Sequence, residues 1–239
     1  MKKWMGLCMA AAVTVSLLAG CGQKAEETSS SQTTAEQTTA AQTTAAETTA
    51  AEETSSQAAE SGQGETEGLD LEAAKGKHHV EITVKDYGTI KAELDGDTAP
   101  ITVANFLKLA GEGFYDGLTF HRIISGFMIQ GGDPLGNGMG GSDQEIKGEF
   151  SNNGVENPLS HTRGAISMAR AQRMDSASSQ FFIVHEDSTF LDGDYACFGY
   201  VTEGMEIVDA ICQDTKVEDN NGTVAKENQP VIESVKVID

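Results

Sequence analysis

From Gly22 to Lys77 the chain contains no Phe, Tyr, Trp or Pro and is built almost entirely from Thr, Ala, Ser, Glu, Gln and Gly. Such a segment cannot bury enough apolar surface to offset the entropy of ordering its backbone. Thr-Thr recurs at Thr33, Thr38, Thr43 and Thr48, a spacing that matches neither the strand period of about 2 nor the helix period of about 3.6 residues. The repeat is also too short for a solenoid, and paired threonines argue against an Ala/Glu-rich helical spacer. Eleven acidic residues against three lysines keep it solvated. It therefore reads as a low-complexity tether, with a root-mean-square reach of ~40 Å for a flexible coil of this length. All four prolines and every aromatic except Trp4 fall after it. One domain, residues 78–239, must hold the core.

Ahead of the tether, Lys2 and Lys3 precede an apolar run from Trp4 to Leu18 that ends in Leu18-Ala19-Gly20-Cys21. This is the layout of a secretory signal, and the small residues before a cysteine resemble the lipobox of bacterial lipoproteins. The resemblance implies a signal peptide at 1–20, acylation of Cys21, a linker over 21–77 and an extracytoplasmic location anchored to the cell membrane by lipid alone. The alternatives are an ordinary signal with a chance cysteine, or an uncleaved anchor. The apolar run falls short of the ~20 residues of a comfortable membrane span. With Cys8 removed and Cys21 acylated, only Cys197 and Cys212 remain, so no disulfide framework supports the domain; whether those two pair stays open. Thirty-seven acidic residues against sixteen basic ones, a net charge of −21, speak against nucleic acid as a partner. Nothing signals an oligomer, and a monomer is the default expectation.

Within the domain, Val80 to Lys85 alternates apolar and polar, Asp86-Tyr87-Gly88 turns, and Ile90, Ala92 and Leu94 resume the alternation, which predicts a β-hairpin. Asp97 and Thr98 are candidate caps for a helix with Pro100 in its first turn. Val103, Phe106, Leu107 and Ala110 form its apolar stripe, and Gly111 and Gly113 stop it. Short β-type runs follow at Leu118–Ile124, Phe127–Gln130, Ala165–Ala169, Phe181–Val184, Tyr195–Val201 and Val231–Ile238, with a second short helix at Met205–Cys212. Short strands and two helices predict a closed or sandwiched antiparallel sheet whose ends the helices cover.

Several chemistries lack their residues. His78 and His79 are adjacent and would point to opposite faces of a strand, and Cys197 and Cys212 have no histidine at ligand spacing, so no metal site is predicted. His121, His161 and His185 could serve as bases, but no activated-serine context accompanies them; hydrogen-bonded histidines near the sheet are the simpler reading. The glycine-rich run from Gly131 to Gly141 lacks the Gly-Lys-Ser/Thr of a phosphate cradle and reads as loop and turn. No cofactor is expected. The informative segment is Phe120 to Asp133, in which Arg122 interrupts an apolar β-type run followed by Phe127, Met128 and Gln130. These side chains share a surface only if Ser125-Gly126 bends the chain. Taken alone, this is either an apolar groove carrying one guanidinium and one amide, suited to an uncharged, partly apolar substrate with a carbonyl, or a structural arginine paired to a carboxylate.

Residues Val80 to Ile238 resemble a cyclophilin, a peptidyl-prolyl cis–trans isomerase. Three blocks carry the resemblance in order: Phe120-His121-Arg122-Ile123-Ile124-x-Gly126-Phe127-Met128-x-Gln130-Gly131-Gly132-Asp133; Gly164 to Arg170 followed by Ser178 to Ile183; and Phe190 to Gly199. The resemblance implies a mainly β fold, an eight-stranded antiparallel closed β-barrel capped by two α-helices. It implies Arg122 as the catalytic guanidinium, with Phe127, Met128, Phe182 and Leu191 around the proline ring and Gln130 and Gln180 beside the substrate backbone. Main-chain groups of Ala169 and Arg170 would hold the residue before the proline. Phe190, Arg170 and Tyr195 occupy substrate-side positions where the best-known eukaryotic members carry tryptophan, asparagine and histidine. The Phe190 departure removes the residue associated with binding cyclosporin. The expected function is isomerisation of X–Pro bonds in unfolded or partly folded exported proteins at the outer face of the membrane. A non-catalytic chaperone or surface-binding module for extended Pro-containing segments is the alternative; a solute-binding lipoprotein would usually be larger and two-lobed.

Overall fold

The computed structural model of the chain describes residues 66–239. The expected signal peptide at 1–20, Cys21 and the expected linker as far as residue 65 lie outside the described residues. Eight antiparallel strands form one curled sheet: β1 Lys77–Val84, β2 Gly88–Asp95, β3 Phe120–Ile124, β4 Met128–Gly131, β5 Ala165–Met168, β6 Phe181–Val184, β7 Cys197–Glu203 and β8 Ile232–Val237. Their order across the sheet is β3-β4-β6-β5-β7-β2-β1-β8. Helices α1, Pro100–Gly111, and α2, Met205–Asp214, complete the architecture. Residues 66–76, assigned above to the linker, form turns against the domain: Ala74 is buried, Leu69 and Leu71 pack on the core, and Gly76 N–H donates to Asp97 at 3.0 Å.

The alternation read in the first hairpin is the observed one. Val80, Ile82 and Val84 of β1 and Ile90, Ala92 and Leu94 of β2 are buried, and Ile82 stands opposite Ile90. Period 2 then makes two cores out of the central strands. Ile123, Ile129, Ile166, Met168, Phe181 and Ile183 point into the curl, where they meet Phe106 of α1. That ring lies 5.4 Å from Phe181, 5.3 Å from Phe198 and 5.0 Å from Tyr115. The alternate residues Met128, Ala165, Phe182 and Val184 form a second buried cluster on the outer face with Leu191 and Cys197. Strands buried on both faces read as continuous apolar runs, which is why Phe181-Phe182-Ile183-Val184 shows no alternation.

The expected closed barrel is corrected to a curled half-barrel. β3 and β8 are the two edges, and they meet only at their ends: Thr119 bridges Val231, Phe120 N–H donates to the Pro230 carbonyl at 2.9 Å, Ile232 N–H donates to the Leu118 carbonyl and the Ile232 carbonyl accepts the Gly117 N–H, both at 2.8 Å. Beyond that point the chains part, because a loop occupies the free edge of β3. Ile123 N–H donates to the Gly222 carbonyl at 2.8 Å, and Arg122 bridges Thr223. The backbone groups that would have paired with β8 are satisfied by this loop instead.

The α1 cap also differs from expectation. Ala99, not Asp97 or Thr98, is the cap residue, and no side chain of its own turn caps the helix. The first free N–H groups are taken by a distant carboxylate: Ile101 and Thr102 donate to the two oxygens of Glu149 at 3.0 and 2.8 Å. Burial pushes the Glu149 carboxyl above its usual range, against the pull of its hydrogen bonds with Thr102 and Ile101. Glu149→Ala leaves the buried Thr102 N–H and the part-buried Ile101 N–H unpaired and should destabilise the domain by about 1–3 kcal/mol. Urea unfolding of both proteins checks this; an unchanged midpoint would show that water caps α1 equally well.

Candidate active site

The outer faces of β3, β4 and β6 carry the residues singled out in the sequence. β3 and β4 form a hairpin whose turn is Ser125-Gly126-Phe127, with Phe127 N–H donating to the Ile124 carbonyl at 2.9 Å and Gly126 at φ +82°. The bend foreseen at Ser125-Gly126 is therefore a full strand reversal. A register shift between Phe120 and Arg122 sets Arg122 opposite Gln130, so both side chains rise from the same side of the sheet. Gln130 in turn pairs across with Phe182 on β6.

Arg122 has donors only, and its partners are acceptors. Nη1 donates to Gln130 Oε1 at 3.2 Å, Nε to the Asn221 main-chain carbonyl at 2.9 Å and Nη2 to Asn221 Oδ1 at 3.2 Å. Met128 Sδ lies 3.9 Å from Nη1. With Oε1 committed to arginine, Gln130 presents its Nε2 to Gln180 Oε1 at 2.9 Å, and Gln180 Nε2 donates to the Gly140 carbonyl at 2.7 Å. One charged donor thus orients two amides in series. Burial lowers the pKa of the Arg122 guanidinium, partly offset by Tyr195 and Asp219, and the group stays protonated at neutral pH. No carboxylate pairs with Arg122 among the described residues, so the structural-arginine alternative is not the observed arrangement.

Beside this arginine lies a cavity of about 220 Å³, lined by Phe127, Met128, Phe182 and Leu191 on its apolar side and by Arg122, Gln130, Ala169, Arg170 and Tyr195 on the other. The Phe182 and Tyr195 rings meet edge to face, with centroids 5.9 Å apart. A second cavity of about 350 Å³ continues past Gln130, Ala169 and Arg170 and is lined by Gln180 and the glycine-rich loop. Two expected site residues stand outside the smaller cavity. Gln180 lines only the second one, and Phe190 is 72% exposed at the rim, its ring 5.6 Å from that of Phe127. Arg170 contributes more than main chain, because its guanidinium lies over the Tyr195 ring at 4.9 Å.

The glycine-rich loop is built on Asp133. Its carboxylate accepts the N–H groups of Leu135, Asn137 and Gly138 at 2.8, 2.9 and 2.6 Å. Burial raises the Asp133 pKa, but these and the Gly140 N–H together hold it below the usual carboxylate range. His161 is buried behind the cavity wall, stacked 6.0 Å from Phe182, with Nδ1 2.7 Å from Asp192 and Nε2 3.0 Å from Ser167. This Ser-His-Asp string is closed to any substrate, since both Ser167 and His161 are fully buried. His185 accepts the Gly126 N–H at 2.8 Å and supports the hairpin turn. His121 is the exception to the hydrogen-bonded reading: both its ring nitrogens are buried without a partner among the described residues, and burial lowers its pKa. Cys197 and Cys212 are both free thiols.

Sequence reasoning missed Asn221. Asp219 folds its loop by accepting the Asn221 and Thr223 N–H groups and the Thr223 hydroxyl, and the Thr223 bonds hold the Asp219 carboxyl low. Gly222 sits at φ +80°, and a Cβ there would fall 2.3 Å from the Ile123 carbonyl oxygen. Asp-Asn-Asn-Gly is legible as a turn, but nothing local says that the turn reaches Arg122.

Residues 79–237 match the family described as cyclophilin type peptidyl-prolyl cis-trans isomerase/CLD. The chain is 49% identical over 144 residues to peptidyl-prolyl cis-trans isomerase B of Bacillus subtilis (strain 168), covering 60% of this chain and 92% of that protein. It is 40% identical over 176 residues to peptidyl-prolyl cis-trans isomerase A of Dickeya dadantii (strain 3937), covering 70% and 87%. A crystal structure of a Cryptosporidium parvum cyclophilin type peptidyl-prolyl cis-trans isomerase superposes with a TM-score of 0.61 at 29% identity, over 69% of this chain and 99% of that one. The same protein crystallised in the presence of the dipeptide Ala-Pro gives a TM-score of 0.59 at 31% identity, over 67% and 99%. With the half-barrel, the two helices and the arginine-lined cavity, these place the chain in the cyclophilin family: it is a cyclophilin-type peptidyl-prolyl cis–trans isomerase.

Asn221 positions Arg122 through two of its donors, one of which depends on the Asn221 side chain. Asn221→Ala should lower kcat by about three- to tenfold, less than the full effect of one hydrogen bond to a charged group because the main-chain bond to Nε and the Gln130 bond to Nη1 remain, with little change in KM or Tm. Steady-state kinetics on an X–Pro peptide decides it; an unchanged kcat would mean the main-chain bond alone holds the guanidinium.

Proposed function

We propose that this isomerase works outside the cytoplasm, held to the membrane by an acylated Cys21, on X–Pro segments of exported proteins that are still folding. The turnover of such bonds without a catalyst takes tens of seconds or more and limits folding. The mechanism follows from what the cavity offers. Rotation about X–Pro crosses a barrier of about 20 kcal/mol, because the nitrogen lone pair is delocalised into the carbonyl. No covalent bond is made or broken, so no nucleophile or proton transfer is required.

The proline ring fits the apolar wall of Phe127, Met128, Phe182 and Leu191, and the preceding carbonyl rotates against a fixed ring. As the bond twists, the lone pair localises on the proline nitrogen, which becomes a hydrogen-bond acceptor that the planar ground state lacks. Arg122 supplies the donor, so it stabilises the twisted state more than either planar isomer. A hydrogen bond to a charged group contributes about 1.5–3 kcal/mol, or roughly one to two powers of ten in rate. Orientation by Gln130 and the main chain at Ala169 and Arg170, together with desolvation, provides the remainder. The single observation that carries this assignment is the guanidinium of Arg122 held by Gln130 and Asn221 at the edge of an apolar cavity. The Ala-Pro dipeptide used with the Cryptosporidium relative supports Pro-containing peptides as ligands.

The cellular part of the proposal rests on Leu18-Ala19-Gly20-Cys21 and on the acidic tether behind it. Negative charge keeps the tether off an acidic envelope surface, leaving the domain free to reach its clients as a monomer. Fractionation of cells producing the wild type and Cys21→Ser tests the anchor. The wild type should sediment with membranes and the variant should be released; a variant that stays in the membrane fraction would replace acylation by an uncleaved signal helix.

A further inference from the structure

The chain has four arginines, at positions 122, 163, 170 and 173, in a protein of net charge −21, so carboxylates are plentiful. Arg163 takes Asp209 at 2.8 Å, and Arg173 takes Glu145. Arg122 and Arg170 alone have no carboxylate at ion-pair distance among the described residues, and both line the same 220 Å³ cavity. The task of Arg122 accounts for its isolation. That of Arg170 needs another reason, since leaving a cation unneutralised inside an acidic domain forgoes an easy pairing.

The Arg170 side chain is fixed without being neutralised. Nε donates to the Asp194 main-chain carbonyl at 2.9 Å, and Nη1 donates to the carbonyls of Ala171 and Gln172 at 3.0 and 3.3 Å. The guanidinium carbon lies 5.1 Å from the Phe150 ring centroid and 4.9 Å from that of Tyr195. Carbonyl dipoles and ring faces hold a guanidinium in place while leaving its formal charge available. Nη2, which carries two donors, has no protein acceptor among the described residues. Arg170 also lines the 350 Å³ cavity, so it stands where a chain passing from one cavity to the other must run. Glu145, the carboxylate lining that second cavity, is already taken by Arg173.

We propose that Arg170 is a specificity residue that selects substrates with an acidic side chain in the two residues preceding the proline. The inference rests on the isomerase reading, which seats the proline ring in the smaller cavity and leads the preceding residues past Arg170. A carboxylate there gains a charge-assisted hydrogen bond from Nη2, an amide gains only a neutral one, and a lysine is repelled. Tyr195 takes part by keeping the guanidinium from swinging into solvent.

The test uses matched peptides carrying Glu, Gln or Lys at each of these two positions, with the purified protein, Arg170→Gln and Arg170→Lys. Isomerisation kinetics give kcat/KM, and NMR titration gives affinity without needing turnover. For the wild type at low salt, Glu should exceed Gln by about fivefold at one or both positions, expressed in KM and shrinking as salt is added. Arg170→Gln should bring the ratio to about one, and Arg170→Lys should keep part of it, because the charge remains while the planar fork is lost. Each ratio is internal to one protein, so a variant of lower overall activity still reports. A wild-type ratio near one at both positions, or an equal ratio in Arg170→Gln, overturns the proposal. If no peptide is isomerised, the isomerase reading fails, and the affinity ratios still decide the role of Arg170.

Discussion

Strands β4 and β6 bury both of their faces, and the site exists because of it. One set of alternate residues, Ile129, Phe181 and Ile183, closes the interior under Phe106, while the other, Met128, Phe182 and Val184, builds a second apolar cluster outside. A register error of one residue in this part of the sheet would exchange the two sets, sending Gln130 inward and Ile129 into the cavity. The β3–β4 hairpin turn and the register shift at Phe120–Arg122 fix that register. Packing of the core and geometry of the cavity are therefore one constraint, and the cavity inherits the rigidity of a close-packed interior.

Upon this frame a single cation organises the polar half of the cavity. Arg122 offers only donors, so each neighbour must present an acceptor, and the orientations of Gln130 and Gln180 follow one after another to the Gly140 carbonyl. The loop that carries Asn221 fastens the far side of the guanidinium and occupies the edge of β3 that strand β8 leaves free. An open half-barrel thus has a functional consequence: the gap in the ladder admits the loop that steadies the arginine. Such pre-arrangement means that little reorganisation is needed when charge redistributes in a twisting X–Pro bond.

The hairpin of β1 and β2, the α1 stripe and most strand positions were legible because each depends on local periodicity. The groove around Phe127, Met128, Gln130 and Arg122 was legible because its residues lie within one short hairpin, and the resemblance extended it to Phe182, Leu191 and Tyr195. What stayed hidden depends on contacts between distant segments. Glu149 caps a helix that begins nearly fifty residues earlier, Asn221 reaches Arg122 from a loop ninety-nine residues away, and residues 66–76 pack where composition alone suggested linker. The closed barrel was overread for the same reason, since strand count and alternation do not say whether the last strand meets the first edge. Arg170 and Tyr195, each a departure from the usual family residue, acquired a shared meaning only when the guanidinium was found on the ring.

In the proposed mechanism Arg122, as a positioned guanidinium, stabilises the twisted X–Pro bond. The most direct test compares the purified protein with Arg122→Ala in a coupled X–Pro peptide assay, with Tm and peptide affinity measured on the same preparations. The variant should keep its Tm and most of its affinity while kcat falls by about ten- to a hundredfold, as expected for the loss of one hydrogen bond from a charged donor. Near-normal turnover by a folded Arg122→Ala protein would contradict it and leave the apolar cavity alone to account for the activity.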